Sequence, residues 1–474
     1  MSLVQIRPKP PQEVVLKETQ SRCLVCRKLK PAQVIKVAPS APGQPSKVIM
    51  RRTCACHGVQ DSIISSDARF YWLAQGKPQS GGCGCGTSCS PVDAGKDGTL
   101  GKNATDASRL GDVEQLSTCL ALIEIVDSCN LPCPTCFAAS PIGTHGDKLK
   151  YRSFEEIVQR VQGIIDRKGK IEILQFSGGE PTLHPEFFKL VEWVRTNPGI
   201  DYLLVNTNGL RLAHDEKFVA DLGEAYRSFD NIQLYLQFDG PQQAGQAELR
   251  GADMRAIRHK AIEACGRIGL PITLAMTVTR TTLQHLWDTI EFALPFDHIR
   301  GVSFQPEFTS GRNPHKGATG PWSQPINVAD VLLGLNAQSG GVVSLDDFTP
   351  LPCGDPNCAT IGWLFRTGGM FMSPSTNGVD IAALQKNLPD RVSYSIEDLK
   401  KCGCEGTELG DLMKHMELRE ANAFRLVVKP FMDERSWDQH RIDRCCTHVI
   451  RPDGTLASFC QYYYGEVPAE TSCC

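Results

Sequence analysis

Three cysteines stand at positions 129, 133 and 136 in the stretch CNLPCPTCFAAS, and no fourth follows nearby. Thiolates so spaced can hold iron or zinc, and a structural site of either kind is normally closed by four protein ligands. A loop carrying three of them fits three corners of a cubane [4Fe–4S] cluster and leaves the fourth iron an exchangeable position, as catalytic metal sites do. The alternative is a zinc knuckle with a distant fourth ligand. Further on, FSGGEP places Gly178, Gly179 and Glu180 at the end of an apolar run. Paired glycines let backbone approach a ligand closely, and a carboxylate there can meet a cationic amine. An ordinary tight turn with an exposed carboxylate has the same pattern.

Cysteine is abundant elsewhere too. The 474-residue chain has 21, nearly all clustered at 23/26, 54/56, 83/85/89, 129/133/136, 353/358, 402/404, 445/446 and 473/474. Disulfide frameworks belong to short secreted chains, whereas CxC and CxxC spacings let two side chains converge on one ion, so metal is the expectation. Hydrophobic residues make up 41% and charged residues 22%, as in ordinary globular proteins. A net charge of −3 is too close to balance to argue for nucleic acid or an anionic membrane as partner. No apolar run approaches the ~18 residues of a membrane span, and MSLVQIRPKPPQEVV lacks the apolar core of a signal peptide. A soluble, cytoplasmic protein is expected.

The elements that must position these groups follow from periodicity. Residues 1–75 carry CLVC and TCACHG on either side of two short strands, the plan of a small metal ribbon in which an ion replaces a core. Residues 76–118 are a Gly-, Ser- and Asp-rich segment bearing Cys83, Cys85 and Cys89. Over 119–320, strands at 121–126, 171–176, 201–206, 231–238, 272–278 and 299–306 alternate with amphipathic helices, the first capped by Ser153. Six such units make an α/β fold with a parallel sheet, either open and doubly wound or curled into part of a barrel, and ligands belong at the strands' carboxyl ends. Residues 321–474 lose this rhythm and read as a cysteine-rich C-terminal domain. Cys265, inside a helix, is expected to be a core thiol.

CxxxCxxC after the first strand with GGE at the end of the second resembles the radical S-adenosylmethionine (SAM) superfamily. The resemblance implies a partial (β/α)6 barrel whose open iron chelates SAM, with the GGE turn at the methionine end and reductive cleavage to a 5′-deoxyadenosyl radical. By the same analogy Asn206, Asn208, Gln237 and Asp239 suit the ribose hydroxyls or the sulfonium neighbourhood, though each could equally be a turn former. Gln305 and Arg312 mark the exit of the last strand, and Arg250 is either a partner for a substrate anion or a solvated surface cation.

The ordered series CLVC, TCACHG, CNLPCPTC, LRGAD, FQPEF, PLPCGDPNC and CCTHVIRPDG resembles one subfamily, that of tetraether lipid synthase and pterin-methylating radical SAM proteins. It implies a rubredoxin-like ribbon with one iron or zinc on Cys23, Cys26, Cys54 and either Cys56 or His57. It also implies two auxiliary [4Fe–4S] clusters, one on Cys83, Cys85, Cys89 and Cys119, the other on Cys353, Cys358, Cys445 or Cys446, and Cys460. Cys402, Cys404, Cys473 and Cys474 receive no role. The activity implied is hydrogen abstraction from an unactivated carbon followed by carbon–carbon bond formation on a lipid, or methyl transfer to a pterin-like ring, with a reductant such as flavodoxin or ferredoxin. A non-catalytic iron–sulfur electron carrier is the competing expectation.

Overall fold

The computed structural model describes residues 12–73, 118–317, 324–351, 354–378 and 422–465. Cys83, Cys85, Cys89, Cys353, Cys402, Cys404, Cys473 and Cys474, with most of the expected 76–118 segment, lie outside them.

Four antiparallel strands open the chain: β1 (Glu13–Arg22), β2 (Leu29–Val37), β3 (Lys47–Cys54) and β4 (Gly58–Ser65), paired in sequence order. Alternate residues Ala32, Val34, Val48 and Met50 pack into a small core on one face, too little to hold the ribbon alone. Buried polar contacts fasten it to the C-terminal part of the chain. Arg52 donates to the carbonyl of Arg435 at 2.7 Å, Lys17 pairs with Asp438 at 2.7 Å, and the Arg22 guanidinium stacks 3.8 Å over Trp437.

The central region alternates as its periodicity requires: β5 (Leu120–Val126), α1 (Phe154–Lys168), β6 (Ile171–Gly178), α2 (Phe187–Thr196), β7 (Ile200–Thr207), α3 (Leu210–His214), α4 (Glu216–Ser228), β8 (Ile232–Gln237), α5 (Gln246–Arg250), α6 (Arg255–Arg267), β9 (Ile272–Val278), α7 (Leu286–Ala293) and β10 (Ile299–Pro306). Strands β5 to β10 are parallel neighbours in consecutive order. Ser153 caps α1 by accepting from Glu156 N at 3.1 Å, as its position before an apolar-periodic stretch demands, while the Glu156 side chain pairs with Arg160.

The helices decide between the two sheet architectures. Buried residues of α1, α2, α4, α6 and α7 all join one core with Ile123, Leu174, Leu203, Leu234, Leu274 and Phe304, the residues on one face of the sheet. A doubly wound sheet has helices on both faces; helices on one face only is the arrangement of a barrel wall. Cys265 lies fully buried in that core.

The C-terminal third adds α8 (Val328–Gln338), β11 (Phe348–Pro350), β12 (Thr360–Thr367), β13 (Met370–Met372), β14 (Ala423–Val428), α9 (Gln439–Ile442), β15 (Thr447–Ile450), β16 (Leu456–Ser458) and α10 (Phe459–Tyr464). Its strands extend the same sheet at both edges. β14 lies parallel to β10, and β15 lies parallel to β5. Sequence rhythm fails here because these strands are short and far apart in the chain, so their partners are set by long-range pairing. Among the described residues no helix is long and apolar enough to cross a membrane.

Candidate active site

The cysteine loop leaves β5 at its carboxyl end and is tied down along its length. Cys129 N donates to Pro141 O at 2.8 Å, and Cys136 and Arg312 exchange backbone hydrogen bonds of 2.8 and 2.9 Å. The Arg312 side chain also donates to the carbonyls of Cys133 at 3.2 Å and Ser140 at 2.8 Å. Arg312 is thus a clamp on the loop, a role that sequence position alone did not give it.

The paired glycines have a clear steric reason. A Cβ on Gly178 would lie 2.0 Å from Val126 O, and one on Gly179 would lie 2.0 Å from Ser128 O. What the glycines admit is the backbone of the cysteine loop itself, joined by Gly179 N to Val126 O at 2.7 Å and Glu180 N to Ser128 O at 3.0 Å. Glu180 is buried, contrary to an exposed turn carboxylate. Its Oε1 accepts from Thr182 Oγ1 at 2.7 Å and Thr207 Oγ1 at 2.8 Å, its Oε2 from Asn208 N at 2.8 Å. Burial raises its pKa, and those donors oppose the rise. Glu180 therefore ties the end of β6 to the turn after β7, and that turn sends Asn208 Nδ2 to Asn130 Oδ1 at 2.6 Å and to within 3.8 Å of Cys129 Sγ. Gly178, Gly179, Glu180 and Asn208 thus gather around the cysteine loop.

The other strand ends divide differently. Asn206 accepts from Gln175 Nε2 at 2.8 Å and donates to Ser177 at 3.2 Å. Asp239, with a left-handed φ of 63°, is buried and bound bidentately by Arg250 at 2.6 and 2.8 Å. Burial alone would raise the Asp239 pKa; Arg250 outweighs it and holds the carboxyl below its usual range. Arg250 is therefore neither a surface cation nor free to meet an anion without giving up Asp239. It reaches on to Cys133, whose thiol burial pushes up and Arg250 pulls down. Gln237 spends its amide on Asp239 at 2.8 Å.

The sheet face turned away from the helices joins Gln305, expected at a strand exit, to polar residues hidden in apolar runs. Tyr202 donates to Gln233 at 2.9 Å, Gln233 to Thr273 at 2.5 Å, and Gln305 to Tyr235 at 2.8 Å. Glu124 accepts from Tyr462 and Tyr463 of α10, each at 2.8 Å. The signal was present: in NIQLYLQF the polar positions 233, 235 and 237 recur with period two, marking one face as polar. Leu120, Leu122 and Ile173 form an apolar floor beside them with Phe459, and Phe137, Phe308 and Phe431 pack around it.

Cys23, Cys26, Cys54 and His57 bring their ligand atoms within 4.8 Å of one another, with His57 Nδ1 at 3.5 Å from Cys23 Sγ and 3.3 Å from Cys54 Sγ. Tetrahedral Zn–S bonds of ~2.3 Å put ligands about 3.8 Å apart, so four converging donors suit one ion. Cys56 is outside this group and engaged in a disulfide. Cys129, Cys133 and Cys136 do not converge to that spacing. In the C-terminal third, Cys358 is pushed up to about 12 by burial and senses Cys460; Cys445, also raised mainly by burial, senses both. Cys119 and Cys446 share a separate buried cluster.

Residues 123–293 match the family described as the radical SAM superfamily. The chain is similar to a 7,8-dihydro-6-hydroxymethylpterin dimethyltransferase of Methanocaldococcus jannaschii, at 25% identity over an alignment of 504 positions covering 94% of this chain and 93% of that protein. It is similar to a GTP 3',8-cyclase of Haemophilus influenzae at 33% identity over 129 residues, spanning 27% of this chain and 36% of that protein. Among solved structures, native anSMEcpe with bound AdoMet and Cp18Cys peptide is 21% identical with a TM-score of 0.35, covering 53% of this chain and 74% of that one. Residues 123–293 thus carry a radical SAM domain.

Proposed function

We propose that the protein is a radical SAM enzyme that forms a carbon–carbon bond on a polar heteroaromatic ring, transferring a one-carbon unit to a pterin-like substrate. The carrying observation is the lining of the inner sheet face. Gln175, Asn206, Tyr202, Gln233, Tyr235 and Gln305 offer amide and phenol groups, and Glu124 adds a carboxylate, beside a short apolar floor. A pteridine alternates donors and acceptors around a flat edge, and amides can answer both kinds. These groups pair with one another but keep further donor and acceptor positions, which a heteroaromatic edge can answer and an alkyl chain cannot, and that speaks against the lipid reading. The near full-length similarity to a pterin dimethyltransferase supports the same choice.

Cys129, Cys133 and Cys136 would hold the [4Fe–4S] cluster, which when reduced supplies the electron that cleaves SAM to a 5′-deoxyadenosyl radical. Arg312 fixes the loop that carries these thiols, and Glu180 fixes the turn that packs Asn208 on Cys129. Tyr462 and Tyr463 close over the inner face, Tyr462 packing on Tyr463 and Tyr463 on Phe137, which follows Cys136 directly. Cys23, Cys26, Cys54 and His57 form a rubredoxin-like site for one iron or zinc, while Cys358, Cys445 and Cys460 are candidates for an auxiliary cluster, and Cys119 and Cys446 for another. Reductant, substrate and cellular location are those expected of such enzymes: a flavodoxin or ferredoxin, a small molecule, the cytoplasm.

The test is to incubate the anaerobically reconstituted chain with dithionite, SAM and 7,8-dihydro-6-hydroxymethylpterin, and to follow substrate mass. A gain of one or two methyl masses supports the reading. 5′-Deoxyadenosine release with the pterin unchanged, and consumption of a long-chain lipid supplied in a parallel incubation, would reverse it.

A further inference from the structure

Arg258 is the strongest unexplained group near the cysteine loop. It sits in the second turn of α6, is fully buried, and none of its three guanidinium nitrogens has a hydrogen-bond partner among the described residues. Guanidinium carries five N–H donors and buried cations are ordinarily paired, so such an arrangement calls for an anion. Burial pushes its pKa down to about 10, which leaves it charged at neutral pH.

Its surroundings say where that anion belongs. Met254, just before α6, and Ile257 within it pack against Cys129, Leu131 and Cys133. Its stem passes the Gly209 turn, 3.7 Å from the position of a Cβ there, directly after Asn208. Glu180, Asp239 and Cys133 all favour its charge, yet Glu180 is committed to Thr182, Thr207 and Asn208, and Asp239 to Arg250. Two cations thus flank Cys133, one neutralised within the fold and one left over.

We propose that Arg258 is a buried anion anchor for the Cys129–Cys133–Cys136 site, its five donors reserved for a negative group brought by the bound cofactors. Two sources share that chemistry. A [4Fe–4S] core held by three thiolates is anionic, and reduction adds a further negative charge; the carboxylate of SAM is the other. The inference rests on the radical SAM domain and is independent of the substrate ring.

The experiment compares the native full chain with Arg258→Gln and Arg258→Lys after anaerobic reconstitution, measuring SAM dissociation constant by equilibrium dialysis and cluster midpoint potential by EPR-monitored titration without SAM. Affinity weakened about tenfold or more in Arg258→Gln at unchanged potential identifies the carboxylate. A lowered potential, with Arg258→Lys near native, identifies the cluster. Native values for both in Arg258→Gln at full iron content overturn the proposal. A second arm needs no cofactor: Arg258→Met should raise the melting temperature of the iron-free chain, because it removes an uncompensated buried charge. A lowered melting temperature there would show that the fold already satisfies Arg258, and would also overturn it.

Discussion

Replacing Gly179 by alanine tests whether the GGE turn exists to dock on the cysteine loop. The added Cβ would stand 2.0 Å from Ser128 O and 2.4 Å from Ser128 C, where ordinary contact begins near 3.4 Å. Relief therefore needs about 1.4 Å of movement (3.4 − 2.0), and both surfaces are backbone, so no side chain can swing aside. Overpacking of this kind costs about 1–3 kcal/mol. Losing the Gly179–Val126 and Glu180–Ser128 hydrogen bonds adds about 1 kcal/mol each. The total, about 3–5 kcal/mol, is tolerable for a fold stabilised by ~5–15 kcal/mol. Catalysis should suffer more, since ~1 Å of misplacement at a reacting centre can cost ~100-fold. The assay is the initial rate of 5′-deoxyadenosine release under dithionite and saturating SAM, with iron content and circular dichroism measured in parallel. Gly163→Ala on α1, where the new Cβ meets only the guanidinium of Arg167 at an ordinary 3.4 Å, is the control and should match native. A Gly179→Ala protein with native iron and a native rate would refute the docking argument.

Asp239→Asn should destabilise the chain by about 3–5 kcal/mol in urea unfolding, because it strands the buried Arg250 guanidinium; a change under 1 kcal/mol would mean that the pair is solvated. Cys26→Ser should abolish the ribbon's single equivalent of metal and lower the melting temperature, leaving iron at the Cys129 site; unchanged metal stoichiometry would rule out the four-ligand set. His184 is held neutral: Nε2 donates to Arg152 O at 2.8 Å, and Nδ1 accepts from Glu186 N at 3.0 Å. Burial depresses its pKa, so the unfolded chain takes up the proton first. Its stabilising contribution is complete above about pH 6.5 and declines as pH falls below that value; a melting-temperature profile of His184→Gln as steep as native over that range would contradict this.

The sheet was legible because its apolar positions face a full helical layer. Ile123, Leu174, Leu203 and Leu234 sit where alternating patterns put them, and every expected central strand begins and ends within two residues of the one observed. The doubly wound alternative fell only to packing, since helix pattern carries no record of which face a helix covers. At the site, the cysteine triad and GGE were visible as motifs, but their mutual docking was not. Gly178 and Gly179 read as openings for a ligand, whereas distance shows them fitted to Val126 and Ser128. Asp239 and Arg250, 11 residues apart, looked like two independent strand-end groups until folding joined them. Arg258 had no signal at all, because its place in α6 matches any helical arginine, and only burial without partners distinguishes it. Between Cys56 and His57, which spacing leaves open, folding brings His57 beside Cys23, Cys26 and Cys54.

The central claim is that three thiols leave a cluster iron free for SAM. Its most direct measurement is 5′-deoxyadenosine formation by the native chain and by Cys129→Ala, each reconstituted anaerobically and supplied with dithionite and SAM. Release by the native protein and none by the variant is expected, with the ribbon metal still bound in both. Release that survives in Cys129→Ala, or a native protein that takes up a single zinc at this loop and cleaves nothing, would contradict it.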